Sequence, residues 1–324
     1  MEERPDLPGI ADVLEARRAL AGVAVRTPVL RSERLDALVS GQLFFKAECL
    51  QRTGSFKLRG AYNRVRALDL AERQRGLITV SAGNAAQGVA YSARLAGARL
   101  VVVMPETAVP EKMAAVAALG AEIESRGVTN AEVAFARLAE LRREHGYTLV
   151  HPFDDPLVIA GAATATWELL DEVPDLELLA VPTSGGGLLA GALLAAGALA
   201  RGARVYGVQP TGADGLVRSL AAGTPTAPER IDTVADGLTA PRPGALNFEI
   251  IRRHVAGVLT VGDAAILEAM GRAIRELRVV VEPAGATALA AVLADPRFYG
   301  RRVGVLLSGG NAGAERIRQV LAAG

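Results

Sequence analysis

The feature that most constrains this chain is a repeat. A short, almost wholly apolar run is followed by a loop, then by a helical pattern, several times over. Residues 77–80 lead into a helix that opens at Ser81 and reaches about Ala96. Residues 99–104 precede a helix over 109–119, and 121–125, the exception in carrying Glu122 and Glu124, precede one over 130–145. After a helix over 156–170, the pattern resumes with a strand at 178–181, a glycine loop and a helix from Leu188. Strands at 205–209, 258–261 and 303–307 follow, with helices over 263–276, over 283–293 and from Gly313. Strands that are apolar at every position are buried on both faces, and their alternation with helices predicts parallel sheets covered by helices on each side. An α/β class follows. Before the repeat come a helix over 10–21 and a strand over 43–49, and an irregular stretch is expected at 223–246.

Composition narrows the functional classes. At 324 residues the chain forms one large domain or two modest ones, and no repeat of the sequence itself and no low-complexity linker marks a boundary. A formal net charge of +1 and the lack of a basic run point away from nucleic acid and anionic membrane. Residues 178–200 carry no charge and are long enough to span a bilayer, but Pro182-Thr183-Ser184 and three glycines interrupt them. A strand, a tight loop and a helix suit that stretch better. The lone Cys49 excludes an internal disulfide and fits a reducing, cytoplasmic setting. The start, Met1-Glu2-Glu3-Arg4-Pro5, lacks the basic and apolar regions of a signal peptide.

Within the repeat, Thr53-Gly-Ser-Phe-Lys-Leu-Arg-Gly-Ala61 carries a lysine directly after an aromatic residue. The sequence holds only three lysines, Lys46, Lys57 and Lys112, among 36 basic residues. An ammonium can lose its proton and attack a carbonyl, whereas a guanidinium stays charged. Gly54-Ser55 reads as a turn and N-cap, which places Lys57 in the first turn of a helix to about Leu68. The positive helix end should lower its pKa. A plain surface lysine is the competing reading.

Three strand-to-helix loops are chemically unusual, at the sheet edge where such folds bind ligands. Ser184-Gly185-Gly186-Gly187-Leu188 bares backbone N–H groups at a helix start, as a phosphate cradle does, although such turns also serve close packing. It is neither a dinucleotide fingerprint nor a P-loop. Ser81-Ala82-Gly83-Asn84-Ala85 either binds a carboxylate or simply caps its helix. Ser308-Gly309-Gly310-Asn311 leaves a hydroxyl at a strand end, or is a helix-entry turn. His145, His151 and His254 form no metal or triad spacing, and only His151 stands at a strand end.

An anion cradle, a nucleophilic lysine and a hydroxyl-tipped loop together suggest pyridoxal phosphate. The motifs Ser-Phe-Lys-Leu-Arg-Gly-Ala, Ser-Ala-Gly-Asn, Gly-Gly-Gly-Leu-Leu-Ala-Gly, Ala-Asp-Gly-Leu, Val-Glu-Pro-Ala-Gly-Ala and Ser-Gly-Gly-Asn occur in this order. In them the chain resembles the threonine/serine dehydratases, relatives of the serine racemases, among the tryptophan-synthase-like (fold type II) pyridoxal phosphate enzymes. The resemblance spans nearly the whole chain. It implies two parallel-sheet α/β domains with the cofactor between them: a large one from 1–75 and 150–324, and a small mobile one from 76–149. It implies that Lys57 holds the cofactor as a Schiff base and later removes the substrate α-proton. Phe56 and Gly237 would flank the ring, Asn84 would meet its 3′-oxygen and Ser308 its nitrogen. Gly185, Gly186, Gly187 and Leu188 would bind the phosphate, and Glu282 counts among the cofactor residues. Ser81, Ala82, Gly83, Asn84 and Ala85 would take the substrate carboxylate. The implied activity is loss of water from L-threonine or L-serine, giving a 2-oxo acid and ammonia, by a homodimer or homotetramer.

Several positions depart from the family pattern. Ala82 stands where racemases carry an acid/base serine, so racemisation should be poor. Ala85 replaces a customary histidine, and Ser184 a customary glycine, whose hydroxyl adds a possible phosphate contact. Gln209 and Gly215 stand where metal-binding members have carboxylates, so no divalent-metal site is expected. No regulatory domain is expected after the last helix. The remaining alternatives are a racemase, a β-replacement enzyme (though these tend to have Asp where Leu58 stands) and a non-catalytic amino-acid-binding relative.

Overall fold

A computed structural model describes residues 7–200 and 202–322; Met1 to Pro5, read above for targeting signals, lie outside them. The chain opens with α1 (Ile10–Leu20), β1 (Val29–Leu30), α2 (Glu33–Leu38), β2 (Gln42–Lys46), α3 (Lys57–Arg66) and α4 (Leu70–Gln74). Next come β3 (Leu77–Val80), α5 (Asn84–Leu95), β4 (Leu100–Val103), α6 (Pro110–Ala118), β5 (Glu122–Glu124), α7 (Ala131–His145) and β6 (Thr148–Leu149). The chain continues with α8 (Pro156–Glu172), β7 (Leu178–Pro182), α9 (Gly187–Leu199), β8 (Arg204–Pro210), α10 (Gly215–Ala222) and α11 (Ala245–His254). It ends with β9 (Gly257–Val261), α12 (Asp263–Arg272), α13 (Pro283–Ala294), β10 (Arg302–Leu306) and α14 (Ala314–Ala322).

Two sheets form, as the apolar runs predict. One has the order β1-β2-β10-β7-β8-β9, and the other, drawn from residues 77–149, has the order β5-β4-β3-β6. All pairings are parallel except that of β1 with β2. Alternate residues of the larger sheet enter separate cores. Phe45, Ala180, Val208 and Val305 pack with α12 and α13, while Phe44, Leu179, Val181 and Leu306 pack with α8 and α9. The uncharged 178–200 stretch divides into β7, the glycine turn and α9. No described helix is long and apolar enough to cross a membrane.

The differences from expectation have local causes. The two-residue strands β1 and β6 and the short helices α2 and α4 fall below the length at which periodicity is readable. The irregular stretch ends one residue before the expected Leu246, where α11 begins. The helix expected over 263–276 changes from α to π geometry at Ala273. Ser55 is not the N-cap of α3. Its backbone bridges Gly309, and Phe56 occupies the cap position without a side-chain bond.

Helix α3 is held from two sides. Ala61, Val65 and Leu68 join the core beneath the smaller sheet. Toward α8, Gly60 and Gly161 let the backbones meet: a Cβ on Gly60 would lie 2.6 Å from the Val158 carbonyl, and one on Gly161 2.5 Å from that of Arg59. Below the helix lies a buried ionic cluster. Arg59 donates to Glu48 through Nε and a terminal nitrogen, both at 2.8 Å, and to Glu168 at 2.7 and 2.8 Å. Lys46 donates to Glu168 and to the Thr27 carbonyl, each at 2.6 Å. Two cations thus face two carboxylates. The charge closes on itself, as a buried cluster requires.

Candidate active site

The ends of this chain meet at the lysine. The loop after β10 runs antiparallel to the segment before α3, residue against residue. Asn311 donates its amide to the Thr53 carbonyl (2.9 Å), the Gly310 N–H to that of Gly54 (2.8 Å), Ser55 bridges Gly309, and the Phe56 N–H donates to Ser308 (3.1 Å). Gly54 serves this pairing twice. It holds φ +71°, and a Cβ there would collide with the Asn311 amide oxygen. The pairing fixes where Lys57 leaves the helix start.

Lys57 is half-buried, and its Nζ donates to the Pro152 carbonyl at 2.8 Å. The rings of Phe56 and Phe153 lie 5.2 and 6.0 Å away. Loss of water around the amine lowers its pKa to about 8. Burial is the cause seen here, acting in the same direction as the helix end expected from sequence. Among the described residues no carboxylate pairs with it.

Around Lys57 lies a cavity of about 380 Å3. Every site residue expected from sequence reaches its wall: Phe56 and Lys57, the Ser81–Ala85 loop, Gly185 to Leu188, Gly237, Glu282 and Ser308. The glycine turn starts α9, with Gly186 at φ +99°. A Cβ on Gly185 would strike the Phe153 ring at 2.6 Å, so the turn is shaped by close packing as well. Asn247 braces it, donating to the carbonyls of Gly185 (2.9 Å) and Phe153 (3.0 Å). The Ser184 hydroxyl accepts the Ala240 N–H at 2.8 Å, which leaves its own hydrogen to donate. At the second loop, Ser81 accepts the N–H of Gly83 (3.1 Å), and Asn84 begins α5 as its first residue instead of capping it.

Glu282 is buried at the N-cap of α13. Burial raises its pKa to about 7 against the pull of Lys112 and of the Asn84 hydrogen bond. Asn84 donates to its Oε1, while its Oε2 has no hydrogen-bond partner among the described residues and stands 3.9 Å from Lys112 Nζ. Lys112 itself is taken by Asp236 at 2.5 Å. Thr183, also on the wall, keeps a buried hydroxyl without a partner. His151 is not on the wall. Its Nδ1 accepts the N–H groups of Phe153 (3.3 Å) and Asp154 (2.8 Å), and burial beside Lys57 lowers its pKa to about 4. It shapes the turn under the glycines as a neutral ring. Gln209, where metal-binding members have a carboxylate, accepts the N–H groups of Leu216 and Val217 and so caps α10.

The sequence reading missed three participants. Lys112 and Asp236, paired with each other, line the cavity, and Asn311 joins the lysine segment to Asn84. The scarcity of lysine was the available signal for the first; Asn311 stood inside a quoted motif without a role.

A family model described as "Pyridoxal-phosphate dependent enzyme" matches residues 21–309. The chain belongs to this family. Its cofactor is therefore pyridoxal phosphate, and the residues present fit it. An amine with a lowered pKa lines the cavity, the glycine turn that opens α9 lines it without a side-chain cap, and two buried oxygens on the wall, of Glu282 and Thr183, have no partner among the described residues. The fold is that of fold type II members. The crystal structure of a threonine deaminase from T.th. superimposes with a TM-score of 0.90 at 44% identity, over 94% of this chain and 99% of that one. Maize serine racemase gives 0.93 at 36% identity, over 98% of each chain. An L-threo-3-hydroxyaspartate ammonia-lyase from Pseudomonas sp is 40% identical over 96% of this chain and 97% of its own length.

Proposed function

We propose that this enzyme eliminates water from L-threonine, L-serine or both, releasing a 2-oxo acid and ammonia. The observation that carries the reading is the state of Lys57: inside the cavity, partnered only by a carbonyl and lowered to about 8. Such an amine binds an aldehyde and, once released, takes a proton from carbon. In this reading Gly185, Gly186, Gly187 and Leu188 hold the cofactor phosphate at the start of α9, with Ser184 adding its hydroxyl. Phe56 and Gly237 flank the ring, Ser308 meets its nitrogen and Asn84 its 3′-oxygen, with Glu282 beside Asn84. Ser81 through Ala85 receive the substrate carboxylate on the first amides of α5. The bound cofactor supplies an electron sink for the substrate α-carbon. Lys57 Nζ would remove the α-proton; that proton and the departing β-hydroxyl make up the water lost, and addition of water to the released enamine gives the 2-oxo acid and ammonia.

Relatives of similar identity bear three different activities in their names, so the choice among them rests on the wall of the cavity. Ala82 cannot deliver a proton to the opposite face of the α-carbon, which disfavours racemisation. Among the described residues no arginine lines the cavity, and Lys112 is already bound by Asp236 with Glu282 nearby. A second carboxylate on the substrate finds no free cation there, so an uncharged β-substituent fits better than that of 3-hydroxyaspartate. The unit over 76–149, built on the smaller sheet, closes over the substrate against the unit from 1–75 and 150–324. The Lys112–Asp236 pair joins the two units, and closure would retain it. Assembly is as a homodimer or homotetramer, to be read by light scattering.

The deciding experiment measures keto-acid release from L- and D-forms of threonine, serine and threo-3-hydroxyaspartate, without added thiol. Release from L-threonine or L-serine, with no D-serine formed, is expected. Accumulation of D-serine, or no keto acid at all, would falsify the dehydratase reading.

A further inference from the structure

Asn84 and Asn311 are linked, and the direction of that link is dictated by its ends. The Asn311 amide nitrogen donates to the Thr53 carbonyl at 2.9 Å and to the Asn84 side-chain oxygen at 2.7 Å. A peptide carbonyl only accepts, so the nitrogen of Asn311 must face it; the nitrogen then has one more hydrogen, which Asn84 takes with its oxygen. Asn84 is thereby forced to turn its own nitrogen the other way, toward Glu282 Oε1. One hydrogen of that nitrogen goes to Glu282. The second has no acceptor among the described residues, and Asn84 lies on the cavity wall. Gly54 secures the arrangement, because any Cβ there would displace the Asn311 amide.

We propose that Asn311 is a positioning residue: it fixes the amide of Asn84 so that an N–H, not a carbonyl oxygen, faces the cofactor. The inference rests on the proposed contact between Asn84 and the ring 3′-oxygen. A donor at that oxygen stabilises negative charge there, whereas an acceptor repels it. The orientation therefore governs where the ring proton sits and how well the ring draws electrons.

Asn311→Asp is the test, because it keeps size and shape while removing the donor. A carboxylate at 311 accepts the Asn84 N–H groups, which turns the Asn84 oxygen toward the cavity. The visible band of the bound cofactor should lose intensity at its long-wavelength maximum in favour of the shorter-wavelength form. The kcat for keto-acid release should fall about a hundredfold, with KM much less affected. Asn311→Ala leaves Asn84 oriented by Glu282 alone, so its spectral change should be the smaller of the two. A packing role predicts the reverse order, since alanine leaves the larger void. An alanine effect equal to or larger than that of aspartate, or an unchanged spectrum in Asn311→Asp, overturns the proposal. Asn84→Ala separates the two layers of the argument. If it leaves the band unmoved, the contact with the ring is wrong and the proposal falls with it. If it shifts the band while Asn311→Asp does not, the contact stands and the role of Asn311 is refuted.

Discussion

Two lysines lie on opposite sides of α3 and meet opposite fates. Beneath the helix, Lys46 is fully buried but surrounded by acceptors, with Glu168 and the Thr27 carbonyl each at 2.6 Å. Burial draws its pKa down while Glu168 and Glu48 pull it back up. At the cavity, Lys57 loses water as well but gains only a carbonyl, and nothing restores its affinity for the proton. The lesson concerns partners rather than depth. A buried amine with a carboxylate is a strut, and one without is a reagent. Lys112 belongs with the struts, since Asp236 holds it at 2.5 Å.

The strongest way to break this contrast is to exchange the reagent for a permanent cation. Lys57→Arg keeps the charge but cannot release its proton, and keto-acid release should drop by at least about 10⁴-fold. Lys112→Arg, able to keep its pair with Asp236, should lose far less. Comparable losses in the two variants would show that the cavity does not single out Lys57. The second test removes a strut. Lys46→Met leaves Glu168 and Glu48 facing Arg59 alone, an unbalanced negative charge in a closed cluster. Unfolding in urea should reveal a loss of about 3–5 kcal/mol. A loss below about 1 kcal/mol would mean that the cluster is no structural support for α3.

These two regions were unequally legible in the sequence. The apolar runs announced the strands, because a buried parallel strand must be apolar throughout, and the loops after them announced the cavity. Lys57 stood out through its rarity and its neighbours. The ionic cluster did not, because Lys46 and Glu48 share one expected strand while Arg59 is in α3 and Glu168 in α8, and only the fold brings these three segments together. Asn311 was hidden similarly: its meaning comes from pairing with Thr53 and Asn84, more than two hundred residues away in the chain. Short elements such as β1 and α4 escaped because two to five residues carry no period. What a residue does through its own type was visible; what it does through a distant partner was not.

The third test returns to the glycine turn that we propose holds the phosphate. Gly186 holds φ +99°, and a Cβ there would come within 2.8 Å of Asn247 and 2.9 Å of Ile251. Gly186→Ala therefore meets both strain and collision, costing about 1–3 kcal/mol in the geometry that receives the phosphate. Cofactor affinity, measured by fluorescence titration of the cofactor-free protein, should weaken by about 10- to 100-fold. Unchanged affinity would mean that the turn serves packing alone.

The finest distinction between strut and reagent is in pH. With a pKa of about 8, the free Lys57 amine is neutral in about a tenth of molecules at pH 7, against about 1 in 3,000 for an ordinary lysine. Only the neutral amine attacks an aldehyde, so cofactor uptake by the cofactor-free protein should quicken about tenfold per pH unit up to pH 8 and then level off. Stability carries the same signature with a definite sign. Between about 8 and 10.5 the native state holds fewer protons on this lysine than the unfolded chain does. The lysine therefore weighs on stability fully below pH 8, and the burden lifts as pH climbs through that window. Lys57→Met, which has no proton to lose, should abolish this rise. If the uptake rate keeps climbing to pH 10, Lys57 titrates as an ordinary lysine, and the contrast with Lys46 loses its chemical half.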